Sequence, residues 1–154
     1  MKTLIIYDSM FGNTKQIAEA IAGTFVASDT RIINVSDAKP EDLNGIEMLI
    51  VGAPTYGGRP KPSTQAFLDS IPAETLAGVG VAAFDTRFAA KDQNIALRLL
   101  MKVIDFAAPR IAKALVEKGG KLAVPAEGFF VLGKEGPVKE GELARAAAWA
   151  RKMS

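Results

Sequence analysis

The chain has no cysteine and no histidine among its 154 residues. That removes disulfides, thiolate nucleophiles, imidazole bases and nearly all zinc or haem ligation. Any redox chemistry must then be borrowed from an organic cofactor. The residues left to do chemistry lie in loops. The first loop, Ser9-Met10-Phe11-Gly12-Asn13-Thr14, follows an apolar, β-rich run at 2–7. After it Ile17, Ala18, Ile21 and Ala22 recur at helical spacing. Two hydroxyls, an amide and several backbone N–H groups at a helix N-terminus suit a dianionic phosphate without any arginine. Asn and Thr in front of an apolar-periodic run are also ordinary helix caps, and both readings stand at this point.

A second loop, Pro54-Thr55-Tyr56-Gly57-Gly58-Arg59-Pro60-Lys61-Pro62, is dense in turn formers, and loops this elaborate commonly carry function. A third spans 85–92 and begins Asp85-Thr86-Arg87. The elements that must position these loops alternate along the chain. Strands are expected at 2–7, 31–35, 47–52 and 79–84, and a fifth opens at 121–124, breaks at Pro125 and resumes at 129–132. Helices are expected after Asn13, closing at Gly23 and Thr24, and around Phe67, Leu68 and Ile71. A further helix covers 94–118, broken near Pro109 and capped by Gly119-Gly120, and a last one covers 140–153; Pro40–Leu43 makes a brief helical turn. Five strands alternating with helices imply a doubly wound α/β fold, and in such sheets ligands bind beyond the carboxyl ends of the strands. The loops after strands one, three and four are the ones so placed.

The bulk properties agree. A chain of this length forms one domain with a sizeable core, read here as residues 1–154, and 49% hydrophobic with 23% charged residues is ordinary for a globular protein. No apolar run approaches the roughly 20 residues that span a bilayer, and the apolar stretch before Asp8 is too short for a secretory signal, so a cytoplasmic location is expected. The basic residues are scattered, with a net charge of +2, and no nucleic-acid, membrane or metal partner is expected. Gly78 and Gly80 make no dinucleotide fingerprint, and strand three ends without the acidic acceptor of a signalling domain.

Ser-x-x-Gly-Asn-Thr after a first strand resembles the FMN phosphate loop of flavodoxins. The resemblance extends to Gly52-Ala53-Pro54-Thr55-Tyr56-Gly57-Gly58, to Ala83-Phe84-Asp85-Thr86-Arg87, and to the tail from Gly128-Phe129-Phe130-Val131 through Gly133-Lys134-Glu135-Gly136-Pro137. It implies a five-stranded parallel sheet of order 2-1-3-4-5 and FMN as cofactor. It also implies phosphate binding by the side chains of Ser9, Asn13 and Thr14 and by the backbone of Met10, Phe11 and Gly12. Pro54, Thr55, Tyr56, Gly57 and Gly58 would lie against the flavin ring, with Tyr56 stacked on it and the Gly57 peptide free to turn toward it; a plain tight turn at Gly57-Gly58 is the other reading. Asp85, Thr86 and Arg87 would pass their backbone along the ring edge, or simply start a turn. Phe84 and Trp149 read as core, and Phe88 is a weaker stacking candidate than Tyr56. The aromatic Phe11, where flavodoxins commonly carry a hydroxyl, is similar to the flavodoxin domain of flavo-diiron proteins.

The function so implied is electron transfer by FMN between redox partner proteins, a reductase and an acceptor. A small FMN-dependent NAD(P)H:quinone oxidoreductase is the alternative. Flavodoxins that act as carriers are typically acidic, whereas this chain has 19 basic against 17 acidic residues, with Arg59, Lys61, Arg87 and Lys91 in its flavin loops opposed mainly by Asp85 and Asp92. A less negative reduction potential is the expectation that follows, since cations favour a developing anion.

Overall fold

The computed structural model describes residues 1–55, 59–88 and 106–154. Within them β1 is Thr3–Tyr7, β2 Thr30–Asn34, β3 Met48–Pro54, β4 Gly80–Phe88, β5 Lys121–Leu122 and β6 Glu127–Val131. Four helices accompany them among the described residues: α1 Asn13–Ala22, α2 Pro62–Ser70, α3 Ala107–Glu117 and α4 Glu142–Arg151. The strands run parallel in the order β2-β1-β3-β4-β5, and β6 also pairs with β4. The fifth position of the sheet is therefore shared. β5 pairs with the start of β4 and β6 with its end, and Pro125, which has no N–H to give the ladder, lies in the break between them.

Side-chain alternation along the strands splits the core into two layers. Leu4, Ile6, Leu49, Val51, Val81 and Ala83 face α2 and α3, packing with Phe67, Leu68, Ile111 and Leu115. Ile5, Tyr7, Ile50, Ala82 and Phe84 face α1 and α4, packing with Ile17, Ile21, Phe129 and Trp149. Burial on both sides explains why β1 and β3 read as continuous apolar runs. Phe84, Phe129 and Trp149 meet edge to face, with centroids 5.9–6.3 Å apart, and the Trp149 indole N–H donates to the Pro125 carbonyl, so Phe84 and Trp149 belong to the core. Gly52 leaves the space that the Phe84 ring fills: a Cβ there would fall 2.0 Å from the ring.

Several boundaries shift by a few residues, and three differences from the sequence reading bear on the site and its frame. β4 continues through Asp85–Arg87 to Phe88, because these residues pair with Gly128, Phe129, Phe130 and Val131, partners more than forty positions away that local patterning does not reveal. α3 begins at Ala107 with Pro109 in its first turn, where a missing N–H costs nothing; the rest of the expected helix, 94–105, lies outside the described residues. A short 3-10 turn at Ala27–Asp29 precedes β2 and was not expected. The turn at Pro40–Leu43 lies where expected.

Candidate functional site

A cleft of about 390 Å³ opens at the carboxyl edge of the sheet. Its described lining comes from four places: Ser9, Met10, Phe11, Asn13 and Thr14 after β1; Pro54, Thr55 and Lys61 after β3; Thr86, Arg87 and Phe88 with Phe106 at the end of β4 and the start of α3; and Val131 and Lys134 after β6. The three loops singled out in sequence thus converge. Tyr56, Gly57 and Gly58, together with Lys91, lie outside the described residues.

The β1–α1 loop ends in a helix with an unfinished N-terminus. Gly12 is the N-cap, in the left-handed region at φ 91°, and no side chain caps the helix. The Gly12 N–H donates to Ser9 Oγ at 3.0 Å, and Gln16 N–H is the first to reach an acceptor, Gly12 O at 3.1 Å. Between them the N–H groups of Asn13, Thr14 and Lys15 have no acceptor among the described residues, and the first turn carries no acidic residue. Asn13 is 8% exposed, and its side-chain amide has no hydrogen-bond partner among the described residues. Thr14 is buried, and its hydroxyl meets that of Thr86 at 3.0 Å, joining the first and third loops. Met10 and Phe11 stay half exposed on the rim.

The start of α3, by contrast, is completed by the protein. At α3 the Ala107 N–H donates to Thr55 Oγ1 (3.0 Å) and the Ala108 N–H to Asp85 Oδ2 (2.9 Å), and position 109 is proline. At α2 position 62 is proline, and the Ser63 and Thr64 hydroxyls donate to Asp8 Oδ2 at 2.6 and 2.9 Å.

Asp85 is fully buried, so its charge needs a counter-ion. Arg87 supplies it through a fork: Nε to Oδ1 and Nη2 to Oδ2, both 2.7 Å. The two residues are two apart on one strand and therefore share a face. The guanidinium also lies 3.6 Å from the centroid of the Phe106 ring, so its flat surface is used as well. The Asp85 carboxylate is thus engaged by Arg87 and α3, and Arg87 forms part of the cleft wall. Lys61, also on the wall, lies 3.8 Å from Asp8. These pairs change the reading of charge: two of the four basic residues expected to act on a ligand are already balanced by carboxylates.

Sequence reasoning did not propose Lys61, Phe106, Val131 or Lys134 as cofactor-binding residues, and it ranked Phe88, which the cleft lining includes, below Tyr56 for stacking. A signal existed for Lys61, which belongs to the second loop, and for Lys134, which belongs to the resembling tail; Phe106 follows a stretch whose pattern gave no site. Among the described residues no group of three acidic residues could hold a metal ion, and no helix is long and apolar enough to cross a membrane.

The chain is 34% identical over 73 residues to a flavodoxin of Aquifex aeolicus (46% of this chain, 40% of the relative). It is also 34% identical over 89 residues to a flavodoxin of Maridesulfovibrio salexigens (54% of this chain, 61% of the relative). The matches thus cover 40% and 61% of those relatives' lengths. In fold it is similar to a flavodoxin from the domain Archaea, at 23% identity and a TM-score of 0.75 over 99% of this chain and 96% of the other. It is similar also to the rubredoxin oxygen:oxidoreductase of Desulfovibrio gigas, at 16% identity and a TM-score of 0.73, covering 98% of this chain but 34% of that one. The family model of the flavodoxin domain matches residues 4–130, a span holding β1 through β4 and three of the four groups of cleft residues. With that match over most of its length, the chain belongs to the flavodoxin domain family, a flavoprotein family whose cofactor is FMN.

Proposed function

We propose that the chain carries electrons between redox enzymes on a bound FMN, as a single cytoplasmic domain working with a reductase and an acceptor protein. The observation that carries this reading is the start of α1: three backbone N–H groups and a buried amide, all without protein partners among the described residues, at the edge of the cleft. Buried donors are expensive to leave unpaired, and a terminal phosphate is the acceptor that suits such a cluster at the positive end of a helix.

The remainder of the cleft fits the flavin. Met10, Phe11, Pro54, Phe88, Phe106 and Val131 offer apolar surface for a planar ring, and the volume is within the range of small-molecule sites. In this reading Ser9, Asn13 and Thr14, with the backbone of Met10, Phe11 and Gly12, hold the phosphate. Pro54, Thr55 and Thr86 border the ring, joined by Tyr56, Gly57 and Gly58. Asp85 and Arg87 act as a positioning pair that fixes the wall.

FMN when bound supplies the redox chemistry, accepting and passing on one or two electrons. The chain's own residues bind, orient and screen it. No carboxylate is among the described lining residues, and the chain has no histidine or cysteine, so the groups on the wall are suited to binding rather than to acid–base work. The test is a titration of the apoprotein with FMN, riboflavin and FAD, followed by photoreduction. Tight binding of FMN alone, full reduction and fast reoxidation by a second redox protein are expected. Equal affinity for riboflavin would remove the phosphate assignment, and steady-state turnover of NAD(P)H with a quinone would replace the carrier with an oxidoreductase.

A further inference from the structure

Three cationic side chains line the cleft among the described residues: Lys61, Arg87 and Lys134. Two are already committed, Arg87 to the buried Asp85 and Lys61 to Asp8. Lys134 has no ion-pair or hydrogen-bond partner among the described residues. Its position is built by a hairpin that closes the chain back on itself after β6. Leu132 N–H donates to Pro137 O at 2.9 Å, Gly136 N–H to Gly133 O at 3.0 Å, and Val131 bridges Val138, so Lys134 occupies the turn at the tip.

The hairpin is fitted to the start of α1. Gly136 holds φ 105°, a conformation that side chains rarely adopt, and a Cβ on it would come 2.5 Å from Asn13 Oδ1. The turn therefore rests against the side chain of Asn13, itself more than nine-tenths buried and without a partner among the described residues. The unengaged cation and the unengaged helix N-terminus are brought to the same end of one cleft.

We propose that Lys134 is a specificity-determining residue that supplies the positive charge for the FMN phosphate, on a hairpin outside the Ser9–Thr14 loop. The inference rests on the FMN reading above and adds a charged contact to a loop whose other donors are uncharged. A helix N-terminus offers about half an elementary charge, whereas a phosphate monoester carries nearly two negative charges at pH 7. A nearby ammonium lowers the free energy of the dianion and leaves the uncharged ribityl end of riboflavin indifferent.

The experiment measures the affinity of the full chain for FMN and for riboflavin by flavin fluorescence, at low and high salt, in wild type, Lys134→Gln and Lys134→Arg. It adds the ³¹P chemical shift of bound FMN. Lys134→Gln is expected to weaken FMN roughly tenfold at low salt, as for loss of one charge-assisted contact. Riboflavin affinity should stay within about twofold, the salt dependence of FMN binding should flatten and the ³¹P resonance should move, with Lys134→Arg close to wild type. An unchanged FMN affinity in Lys134→Gln, or an equal loss for FMN and riboflavin, overturns the proposal. Wild-type protein that binds neither flavin would overturn the FMN reading itself, a result distinct from either.

Discussion

Helices α1 and α3 both start at the cleft, and their first three residues are treated in opposite ways. The first three residues of α3 are accounted for, by Thr55, by Asp85 and by the ring of Pro109, whereas the N–H groups of Asn13, Thr14 and Lys15 in α1 find no acceptor among the described residues. Helix α4 makes the contrast sharper, since it starts as α1 does, from a glycine N-cap at φ 89° with no side-chain cap. Yet its first turn carries Glu142, and α1 has no acidic residue there. A helix terminus becomes a binding site through the omission of groups that the same fold supplies elsewhere.

If α3 is the completed terminus, removing its acceptor should damage the fold. Asp85→Ala strands the Arg87 guanidinium in a half-buried wall and uncaps Ala108, and should destabilise the apoprotein by about 3 kcal/mol, read by urea unfolding. A loss under about 1 kcal/mol would show that water replaces the carboxylate freely.

The corresponding change at α1 should do the reverse. Asn13→Ala removes a buried amide that has no protein partner among the described residues, so apoprotein stability should hold or rise slightly, while FMN binding weakens by about 1–3 kcal/mol. Parallel unfolding and FMN titrations decide, and a stability loss without a binding loss would make Asn13 a structural cap.

Glu142 tests the acidic residue that α4 carries at the same kind of start. Burial works to raise its pKa, but hydrogen bonds from Arg145 and from the Phe130 N–H outweigh it and leave the carboxyl below its ordinary 4.5. A carboxyl depressed on folding gives stability that is full above the unfolded value and is lost as pH falls from about 4.5 through the folded pKa. Glu142→Gln should therefore cost about 1.5 kcal/mol at pH 7 and flatten the acid limb below pH 4.5. Unfolding curves between pH 3 and 7, run as approximate half-unit steps, measure both. An acid limb unchanged from wild type would assign it to other carboxyls.

The smallest effect comes from giving α1 what α4 has. Lys15→Glu places an anion in the first turn of α1 and should stabilise the apoprotein by about 0.5 kcal/mol through the helix dipole, while FMN affinity falls by charge repulsion. A gain in both quantities would mean that the terminus does not face the phosphate.

Much of this arrangement was legible in the residues, and the part that was not has a common cause. The loop Ser9–Thr14, the turn at Pro40–Leu43, the break at Pro125 and the core roles of Phe84 and Trp149 all follow from local patterning and composition. The Asp85–Arg87 pair was in plain view at i,i+2, yet its meaning depends on β4 running on beside β6 and on α3 arriving with Ala108, both set by distant chain. Asp85 stood among the acids opposing the loop cations in the sequence, and only the fold shows that it engages Arg87 in a fork. Lys134 owes its place to a hairpin folded against Asn13, more than a hundred residues earlier.

The contact between Thr14 and Thr86 has a consequence beyond joining two loops. Two hydroxyls bonded to each other at 3.0 Å hold two hydrogens, of which one lies between them and the other points away. The pair therefore exists in two senses, Thr14 donating to Thr86 or Thr86 to Thr14, and either can serve when nothing else is bound. An acceptor placed against one of the two oxygens selects the sense in which that hydroxyl turns its free hydrogen outward. Both residues line the cleft, so a ligand at the phosphate loop sets the polarity presented by the third loop through a single rotor, without any shift of the backbone.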